Sequence, residues 1–413
     1  MGFVNSRLIT FTLFLMLATG FFSCKKQDRI SIGGISGPKT VCFGEKGVTY
    51  SIDGNTTADY ILWTVPDLCQ IVSGQGKNKI VVNFGRNAGK IIASYYGKGE
   101  KISDDTSILV SFGVGNNWCR EADFKGGLSF DCVGFSIGSK GYFGTGFNND
   151  STPRNDFWEF DAPSSTWTQK TDFAGPGRGG AVGFSIAGKG YIGTGYRGTG
   201  NSTSDYFKDF WEYIPQTNQW LQKADCSDTA RSYAVGFSIG DKGYIGSGTS
   251  PYGLKNDFRE YDPGTNTWIL RAPIVARWAG TGFSIGNKGY FGFGHSLSNF
   301  EKDFWEYNPQ SNEWLQRSNL PLPGVGRSNA IGFSIDSNGY IALGYNSNSA
   351  PYSLIELWKY SPTLNTWESQ EDFVGQKRVF ATGFSIGNKA YLGTGFIGGS
   401  NVHSLNDFWV YTQ

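Results

Sequence analysis

A phrase that recurs six times limits what this chain can fold into. Its clearest copy is VGFSIGDKGYIGSG at residues 235–248, and five related copies begin at Val133, Val182, Thr281, Ile331 and Thr382. The copies follow one another at about fifty residues, a spacing that indicates a repeat architecture. Because they extend over nearly three quarters of the sequence, the repeat decides the fold of most of the chain.

Each repeat predicts four β-strands. A GFSI strand, a tight turn and a YIGTG-type strand are followed by a variable loop, a DFWEY-type strand, a turn and a final strand. In the copy at 235–248, Val235, Phe237 and Ile239 alternate with Gly236 and Ser238. One strand face is therefore bulky and the other is small, which suits an innermost strand crowded by its neighbours. Aromatic packing repeated six times explains the 16% of aromatic residues, and the 59 glycines of the chain favour turns and strands.

These units resemble Kelch repeats, with one departure. The paired glycines that the family carries after the second strand are Thr-Gly, Ser-Gly, Phe-Gly or Leu-Gly in this chain. The resemblance implies a six-bladed Kelch β-propeller, which we place at residues 113–413. It is specific for the fold and says little about function.

The tryptophans of the final strands predict how the propeller closes. They number six and are Trp118, Trp167, Trp220, Trp268, Trp314 and Trp367. Trp118 precedes the first GFSI copy, whereas the last repeat ends at Tyr411 without a tryptophan strand of its own. We therefore expect Trp118 and its neighbours to pair with the strand at residues 407–411, so that an N-terminal outer strand closes the ring and removes an open edge.

Residues 30–112 form a separate region of short alternating strands. Examples are VTYSI at 48–52, DYILWTV at 59–65 and KIIASYY at 90–96, a pattern typical of a small antiparallel sandwich. The phrases VCFG at 41–44, YILWTVP at 60–66 and SGQGKNKIVVNFG at 73–85 resemble immunoglobulin-like PKD modules of extracellular bacterial proteins. That resemblance implies a spacer or adhesion module. The predicted fold is all-β, a six-bladed Kelch β-propeller preceded by a small immunoglobulin-like β-sandwich.

The N-terminus predicts export. Arg7 precedes an apolar run at residues 8–22, whose length is typical of a signal peptide and short for a membrane span. The run ends in FFSC at residues 21–24, which resembles a bacterial lipobox although two phenylalanines replace the usual leucine and small residue.

The lipobox resemblance implies a lipoprotein. Residues 1–23 would be removed, Cys24 would be acylated, and residues 24–29 would form a tether. Because Lys25 and not an aspartate follows the cysteine, the resemblance implies the outer membrane, on its periplasmic or cell-surface face. We expect membrane contact through this lipid anchor alone. The alternative is an ordinary signal peptide with an incidental cysteine.

Five further cysteines remain, and their spacing matches no CxxC or Cys/His metal site. Cys42 and Cys69 fall in the same small domain and could form a disulfide, which would contribute roughly 3 kcal/mol for a loop of that length. An odd number leaves at least one cysteine unpaired within the chain. We expect no metal and no cofactor.

Net charge argues against nucleic acid as a partner. The 36 basic and 35 acidic residues nearly cancel at +1, and no basic block stands out. Lysines and arginines that would displace counterions from a nucleic acid are therefore not concentrated on one segment, which argues against strong binding of nucleic acid. We expect a monomer.

Five arginines lie five residues before the Gly-Phe of their inner strand, namely Arg178, Arg231, Arg277, Arg327 and Arg378, and Ser129 occupies the sixth position. We expect them to ring one mouth of the propeller channel. In some Kelch binding domains arginines at this spacing grip acidic peptides, so the resemblance implies an anionic partner. The alternative is that each arginine bonds to carbonyls of the neighbouring blade. A feature that every blade repeats favours this structural role.

Six carboxylates precede the third strands, namely Asp156, Asp209, Asp257, Asp303, Glu356 and Asp407. Paired acids could perform acid-base chemistry. Their presence in every repeat favours a structural role as turn caps.

The copies disagree most in the loops between the second and third strands. The residues that follow the second strand include Phe147, Tyr196, His295, Tyr345 and Phe396, and the loops beyond them are rich in Asn and Ser. Aromatic faces beside amides suit sugar recognition, although solvent-facing loops often have this composition anyway. We therefore predict a binding module for a carbohydrate or protein partner, with these five residues and the five arginines as candidate ligand contacts.

Enzymatic alternatives have less support from the residues. Copper oxidases of the galactose oxidase type need two histidines and two tyrosines, whereas His295 and His403 of this chain lie in different repeats. Sialic acid mutarotases are six-bladed Kelch proteins, so a sugar-isomerising activity is the alternative function. No Ser-His-Asp, P-loop or HExxH pattern occurs, and we assign no catalytic residue.

Overall fold

The computed structural model describes residues 33–41, 47–54, 56–84, 89–112, 117–198, 205–226, 229–321, 324–347, 352–397 and 403–413. Every regular element among these residues is a β-strand, which confirms the all-β prediction. None of the described segments is a helix long and apolar enough to cross a membrane. The chain divides into two compact units, Met1–Phe112 and Gly113–Gln413.

The first unit contains two sheets. Their strands are β1 (Ile35–Ser36), β2 (Thr40–Val41), β3 (Val48–Ile52), β4 (Tyr60–Thr64), β5 (Gln70–Ser73), β6 (Lys79–Asn83), β7 (Gly89–Gly97), β8 (Glu100–Lys101) and β9 (Thr106–Phe112). One sheet has the order β1-β3-β6-β5, and the other has the order β2-β9-β7-β4 with β8 beside β7. All pairs are antiparallel except β2 with β9.

Both sheets of this unit contribute to one hydrophobic core. Tyr50 and Ile80 come from the first sheet and Trp63 and Tyr95 from the second, and all four are buried. The alternation of buried and exposed residues along β3 and β4 places every second side chain in that core. The indole of Trp63 donates to the carbonyl of Lys77 at 2.7 Å, so its one polar atom is satisfied inside the core.

The second unit contains six four-stranded antiparallel sheets, which we number I to VI. Sheets I to III consist of β12 (Val133–Ile137), β13 (Lys140–Gly144), β15 (Phe157–Asp161) and β16 (Thr166–Gln169); β17 (Val182–Ile186), β18 (Lys189–Gly193), β19 (Phe210–Ile214) and β20 (Gln219–Lys223); and β21 (Val235–Ile239), β22 (Lys242–Gly246), β25 (Phe258–Asp262) and β26 (Thr267–Arg271).

Sheets IV to VI follow the same pattern. They consist of β27 (Thr281–Ile285), β28 (Lys288–Gly292), β29 (Phe304–Asn308) and β30 (Glu313–Arg317); β31 (Ile331–Ile335), β32 (Asn338–Ala342), β33 (Leu357–Ser361) and β34 (Thr366–Ser369); and β35 (Thr382–Ile386), β36 (Lys389–Gly393), β39 (Phe408–Thr412) and β10 (Trp118–Glu121). Three two-stranded ribbons pair β11 (Ser129–Phe130) with β14 (Phe147–Asn148), β23 (Thr249–Ser250) with β24 (Gly253–Leu254), and β37 (Phe396–Ile397) with β38 (His403–Ser404).

Sheet VI joins the two ends of the second unit. Its outermost strand, β10, pairs antiparallel with β39, and the register places Trp118 opposite Tyr411 and Glu121 opposite Phe408. The predicted pairing of Trp118 with the strand near Tyr411 is therefore confirmed.

The first strand of each sheet, which we call the inner strand, contacts the inner strands of the sheets before and after it, and β35 of sheet VI contacts β12 of sheet I. Glycine permits this approach. A Cβ added at Gly183 would lie 2.0 Å from the Val133 side chain, and one at Gly134 would lie 2.5 Å from Thr382. The small face predicted for the GFSI strand is therefore where adjacent sheets meet.

The six tryptophans tie each sheet to the preceding one at larger radius. Each indole nitrogen donates to a backbone carbonyl that follows the last strand of the previous sheet, at 2.8–3.2 Å: Trp118 to Glu371, Trp167 to Ala122, Trp220 to Thr171, Trp268 to Ala224, Trp314 to Ala272 and Trp367 to Ser318. The rings also pack edge-on against phenylalanines of that sheet, as Trp220 does on Phe157 at 4.9 Å. The same tie occurs at every junction between sheets.

We predict that Trp118→Ala lowers the free energy of unfolding by about 3–5 kcal/mol, as expected for a buried aromatic residue. Trp118 is 1% exposed and packs on Phe373 at a ring separation of 5.0 Å. Denaturant unfolding followed by circular dichroism measures the loss. Arg120→Ala is the control, because Arg120 lies on the same strand with its side chain 57% exposed and should change stability by less than about 1 kcal/mol. Equal effects of the two substitutions would contradict a closing role for β10.

Candidate functional site

The five predicted arginines are buried, with exposed fractions of 0–7%. Each guanidinium binds a carboxylate that precedes the third strand of its own sheet: Arg178 binds Asp209, Arg231 binds Asp257, Arg277 binds Asp303, Arg327 binds Glu356 and Arg378 binds Asp407. Each also donates to a carbonyl after the second strand, as Arg378 does to Thr394 at 3.0 Å. Arginine and carboxylate, which the sequence presented as separate features, form one internal tie.

Sheet I builds the same tie from a different position. Ser129 takes the place of the arginine, and Arg154 instead reaches Asp156, with Nε donating to Oδ1 at 2.8 Å. Arg154 also donates to the carbonyl of Gly126. Each of the six sheets therefore carries an arginine paired with the acid before its third strand.

The carboxylates also accept hydrogen bonds from indole groups, so their oxygen atoms are already engaged within the sheet. The indole of Trp409 donates to Asp407 at 2.7 Å, and Trp211 does the same for Asp209. Burial alone would raise the pKa of Asp407, but hydrogen bonding and the charge of Arg378 lower its pKa below the ordinary value. This geometry favours the structural role for both sets of residues. It also corrects the expected partners, because the arginines bond within their own sheet and not to the neighbouring blade.

A second set of residues surrounds the ring axis. These lie two positions after each arginine, or after Ser129 in sheet I, and we call them the mouth residues: Asp131, Gly180, Tyr233, Ala279, Asn329 and Phe380. All six have left-handed backbone conformations with φ between 51° and 57°. The backbone is therefore the same at six positions that carry six different side chains.

Backbone hydrogen bonds join the mouth residues of successive sheets. The amide of Tyr233 donates to Gly180, Ala279 to Tyr233 and Asn329 to Ala279, at 2.8–3.1 Å, and Asp131 donates to Phe380 at 3.0 Å. These bonds stabilise the left-handed backbone conformation even where the residue is not glycine. They also fix the position of the Cα atom from which each side chain projects.

The mouth residues line a cavity of about 170 Å³ to which all six sheets contribute. Its floor is made by the next residue of each sheet, namely Cys132, Ala181, Ala234, Gly280, Ala330 and Ala381. A deeper cavity of about 210 Å³ continues between the inner strands. Cys132 is not in a disulfide, and burial raises its pKa to about 12, so its thiol stays protonated and unreactive.

Tyr233 spans the mouth because Gly180 has no side chain. Its hydroxyl donates to Oδ2 of Asp131 at 2.6 Å and shares a hydrogen bond with the hydroxyl of Tyr196 at 2.9 Å. A Cβ at Gly180 would lie 3.3 Å from the rings of both tyrosines. Tyr233 also faces Phe380 from the opposite sheet, with ring centroids 6.3 Å apart.

Asp131 differs in environment from the other acids of this unit that are described above. It is 9% exposed and lines the cavity. Burial raises its pKa to about 7, and the hydrogen bond from Tyr233 opposes that rise. No guanidinium or ammonium group among the described residues pairs with it.

The five predicted aromatic and histidine residues lie around the mouth. They join neighbouring rings at centroid separations of 4.6–5.6 Å, in the order Phe396, Phe130, Phe147, Tyr196, Tyr233, Trp278, His295, Phe300 and Tyr345. We call this set the aromatic band. Phe147 is buried within it, whereas Tyr196, His295, Tyr345 and Phe396 are half-buried. The sequence-predicted aromatics are therefore brought together, and the arginines lie behind them inside the sheets.

His295 is packed and makes no metal cluster. Its ring lies between Trp278 and Phe300, and its Nδ1 has no hydrogen-bond partner within the described residues. His403 lies in β38 of another ribbon. Across the described part of the chain, no group of three or more His, Cys, Asp or Glu side chains could hold a metal ion.

The sequence reasoning missed the mouth residues Asp131, Tyr233, Asn329 and Phe380. Their signal was present, because the position two after the arginine reads D, G, Y, A, N and F in the six repeats. A ligand on the axis contacts each copy differently, so the variation at this position between the arginine and the GFSI strand was the sign of a site. Cys24 and Cys42 lie outside the described residues, so the lipid anchor and the pairing of Cys42 with Cys69 stay predictions.

Comparisons with known proteins match part of the N-terminal unit to a family, and they match most of the chain to solved structures by fold alone. Residues 29–94 match the family described as PKD-like domain. The solved structure titled "Structure of YjhT" matches with a TM-score of 0.58 and 14% sequence identity, over 70% of this chain and 95% of that one. Among solved structures 684 chains match significantly, so a shared fold carries no functional assignment here. The comparison with curated proteins gave no significant match. The N-terminal unit therefore contains a PKD-like domain.

We predict that Arg378→Met lowers the free energy of unfolding by about 3–5 kcal/mol at pH 7, because Asp407 is left buried without its cation. The lowered pKa of Asp407 stabilises the wild type above the unfolded value near 3.9, and that contribution is lost as the pH falls through the folded pKa. In the variant the unpaired carboxyl is relieved by protonation. Denaturant unfolding between pH 7 and pH 3 should therefore show the difference shrinking. The Arg378→Met/Asp407→Asn double variant is the control and should recover most of the loss, whereas a pH-independent difference would contradict the assigned tie.

Proposed function

We propose that this chain is an exported, lipid-anchored binding protein that recognises a carbohydrate at the mouth of a six-bladed Kelch-type propeller. Six similar four-stranded sheets, inner strands in contact all around the ring and the pairing of β10 with β39 support the propeller. The repeated tryptophan ties support it further, because one of them joins sheet VI to sheet V and another joins sheet I to sheet VI.

One observation carries the binding role. At the mouth, six positions share one backbone conformation and carry six different side chains. Within the strands of the repeats the side chains are nearly constant, because they pack the sheets against one another. A position with one fixed backbone conformation next to these strands has no packing reason to vary, whereas a ligand on the axis contacts each sheet differently.

The chemistry of the mouth favours a carbohydrate. The rings of Tyr233 and Phe380 lie across the opening from each other with centroids 6.3 Å apart, and Asn329 and Asp131 add an amide and a carboxyl to the same cavity lining. Sugar rings offer an apolar face for an aromatic ring and hydroxyl groups for polar partners. The surrounding aromatic band, which includes Tyr196 and Tyr345, extends this surface. A protein partner is the competing outcome of the binding experiment.

The remaining parts of the chain support delivery of the propeller to the cell envelope. A PKD-like domain at residues 29–94 suits a spacer between an anchor and a binding unit. The sequence before it carries the export pattern that ends at Cys24. Acyl chains on that cysteine would hold the chain at the outer membrane.

A sugar-active enzyme is the second candidate, and one observation favours it. Asp131 lines the cavity with a pKa of about 7, which is suited to a general acid or base near neutral pH. Anomer exchange followed by NMR with sugars that bind would distinguish turnover from binding alone.

We predict that Tyr233→Ala and Phe380→Ala each weaken glycan binding by at least about fivefold, taking the roughly 1–3 kcal/mol of a nucleic-acid base stacked on an aromatic ring as the scale. A glycan array and a protein array probed with the purified full chain identify the ligand, and calorimetry measures affinity. Leu364→Ala is the control, because Leu364 is 71% exposed in the β33–β34 turn at the opposite ends of the strands. A glycan that binds both mouth variants as well as the wild type would contradict the site, and binding to proteins alone would contradict the ligand class.

We predict that Cys24→Ala abolishes incorporation of a labelled fatty acid when the chain is expressed in a bacterial host. Cys69→Ala is the matched control and should retain the label. Detection uses gel fluorography of membrane fractions. Export of the wild-type chain without any label would support an ordinary signal peptide and contradict the anchor.

A further inference from the structure

The charge of the mouth narrows the ligand class, and this inference rests on the proposed carbohydrate function. Among the described residues that line the two cavities, Asp131 is the one whose side chain is an acid or a base of the Lys, Arg, His, Asp or Glu kind. The arginines that the sequence placed at the mouth point into their sheets and are neutralised there, as Arg378 is by Asp407. Among the described residues, the lining of the mouth therefore offers one carboxyl group and no cationic group.

Asp131 is a buried carboxyl without a counter-ion. Tyr233 donates to its Oδ2 at 2.6 Å, and among the described residues no lysine, arginine or histidine reaches it. A carboxylate that is nine-tenths buried is costly unless it is paired. By contrast, the six acids that precede the third strands each pair with an arginine, although their side chains are somewhat more exposed than Asp131. The side chain at the axis is thus built for a partner that the chain itself does not supply.

The surroundings of Asp131 match an ammonium group. Tyr233 and Trp278 lie in ring contact at 5.5 Å, and Phe380 faces Tyr233 across the mouth. Aromatic faces attract cations through their quadrupole, and a carboxylate adds a charge-assisted hydrogen bond. A carboxylated sugar would instead bring a second negative charge to Asp131 and meet no arginine.

We infer that the mouth binds a sugar that carries a free amine, with Asp131 as the counter-ion of the ammonium group, Tyr233 as the residue that positions the carboxylate, and Phe380 as the ring that packs on the sugar. The hydroxyl of Tyr196 holds Tyr233 from the other side at 2.9 Å. A Cβ at Gly180 would lie 3.3 Å from both tyrosine rings, so glycine leaves room for these rings in their present positions.

The test compares four monosaccharides on the full chain by calorimetry: glucosamine, N-acetylglucosamine, glucose and glucuronic acid. Glucosamine should bind at least about tenfold more tightly than glucose, as expected for a hydrogen bond to a charged group. N-acetylation should remove the advantage, and glucuronic acid should bind more weakly than glucose. Equal affinities for glucosamine and glucose would overturn the inference.

Asp131→Asn removes the charge and keeps the shape and an oxygen that accepts from Tyr233. It should lower the ratio of glucosamine affinity to glucose affinity by about tenfold, because both sugars share any hydroxyl contact with this side chain and only glucosamine loses a counter-ion. Asp241→Asn is the matched control, because the Asp241 side chain is 78% exposed in the turn between β21 and β22. Thermal unfolding of both variants verifies that they fold. An unchanged ratio in Asp131→Asn would overturn the assignment.

Two outcomes separate this inference from the function on which it rests. Sugars that bind with a dependence on Phe380 but without preference for the amine would leave the carbohydrate function standing and overturn the ammonium site. Binding of an Nα-acetylated lysine ester in preference to glucosamine would transfer the site to peptides and overturn both.

Discussion

The second unit depends on the close approach of six inner strands around one axis. Glycine on one strand faces Val133, Thr382 or an equivalent residue on the neighbouring strand with no room for a further carbon atom. In a ring, an error in the spacing or angle between two sheets cannot be relieved at a free end. Each contact between inner strands must therefore have the same geometry. The tryptophan ties at the periphery and the arginine ties within the sheets hold each sheet at the angle that this contact requires.

The sequence predicted the features that repetition and edge pairing dictate. Six GFSI copies give six sheets. Trp118 belongs to a final strand that precedes the first repeat, and the last repeat, which ends at Tyr411, lacks such a strand, so the sequence predicts that the two ends join. The roles of the arginines were harder to predict. Arg178 and Asp209 lie 31 residues apart across a loop of variable length, so no local spacing marks them as partners. Both recur with the period of the repeat, the arginine in five copies and the acid in all six, and that shared period was the available sign that they act together.

The mouth residues illustrate what a sequence pattern does not reveal. Tyr233, Ala279 and Phe380 adopt a left-handed conformation that non-glycine residues usually avoid, and bonds between sheets impose it. The path of the Tyr233 side chain over Gly180 to Asp131 depends on the position of sheet II between them. Local propensity encodes neither fact, because both arise when separate repeats are placed side by side.

The pairing of β10 with β39 also determines when the second unit can close during synthesis. Synthesis releases β10 before any of the six inner strands exist, and its partner is made last, after nearly the whole unit. At ribosomal rates of roughly 5–20 residues per second the interval is on the order of tens of seconds. Throughout that interval β10 lacks the strand with which it pairs. The closing pair of this unit therefore forms only after the last strand has been made, so the unit closes at the end of synthesis and not during it.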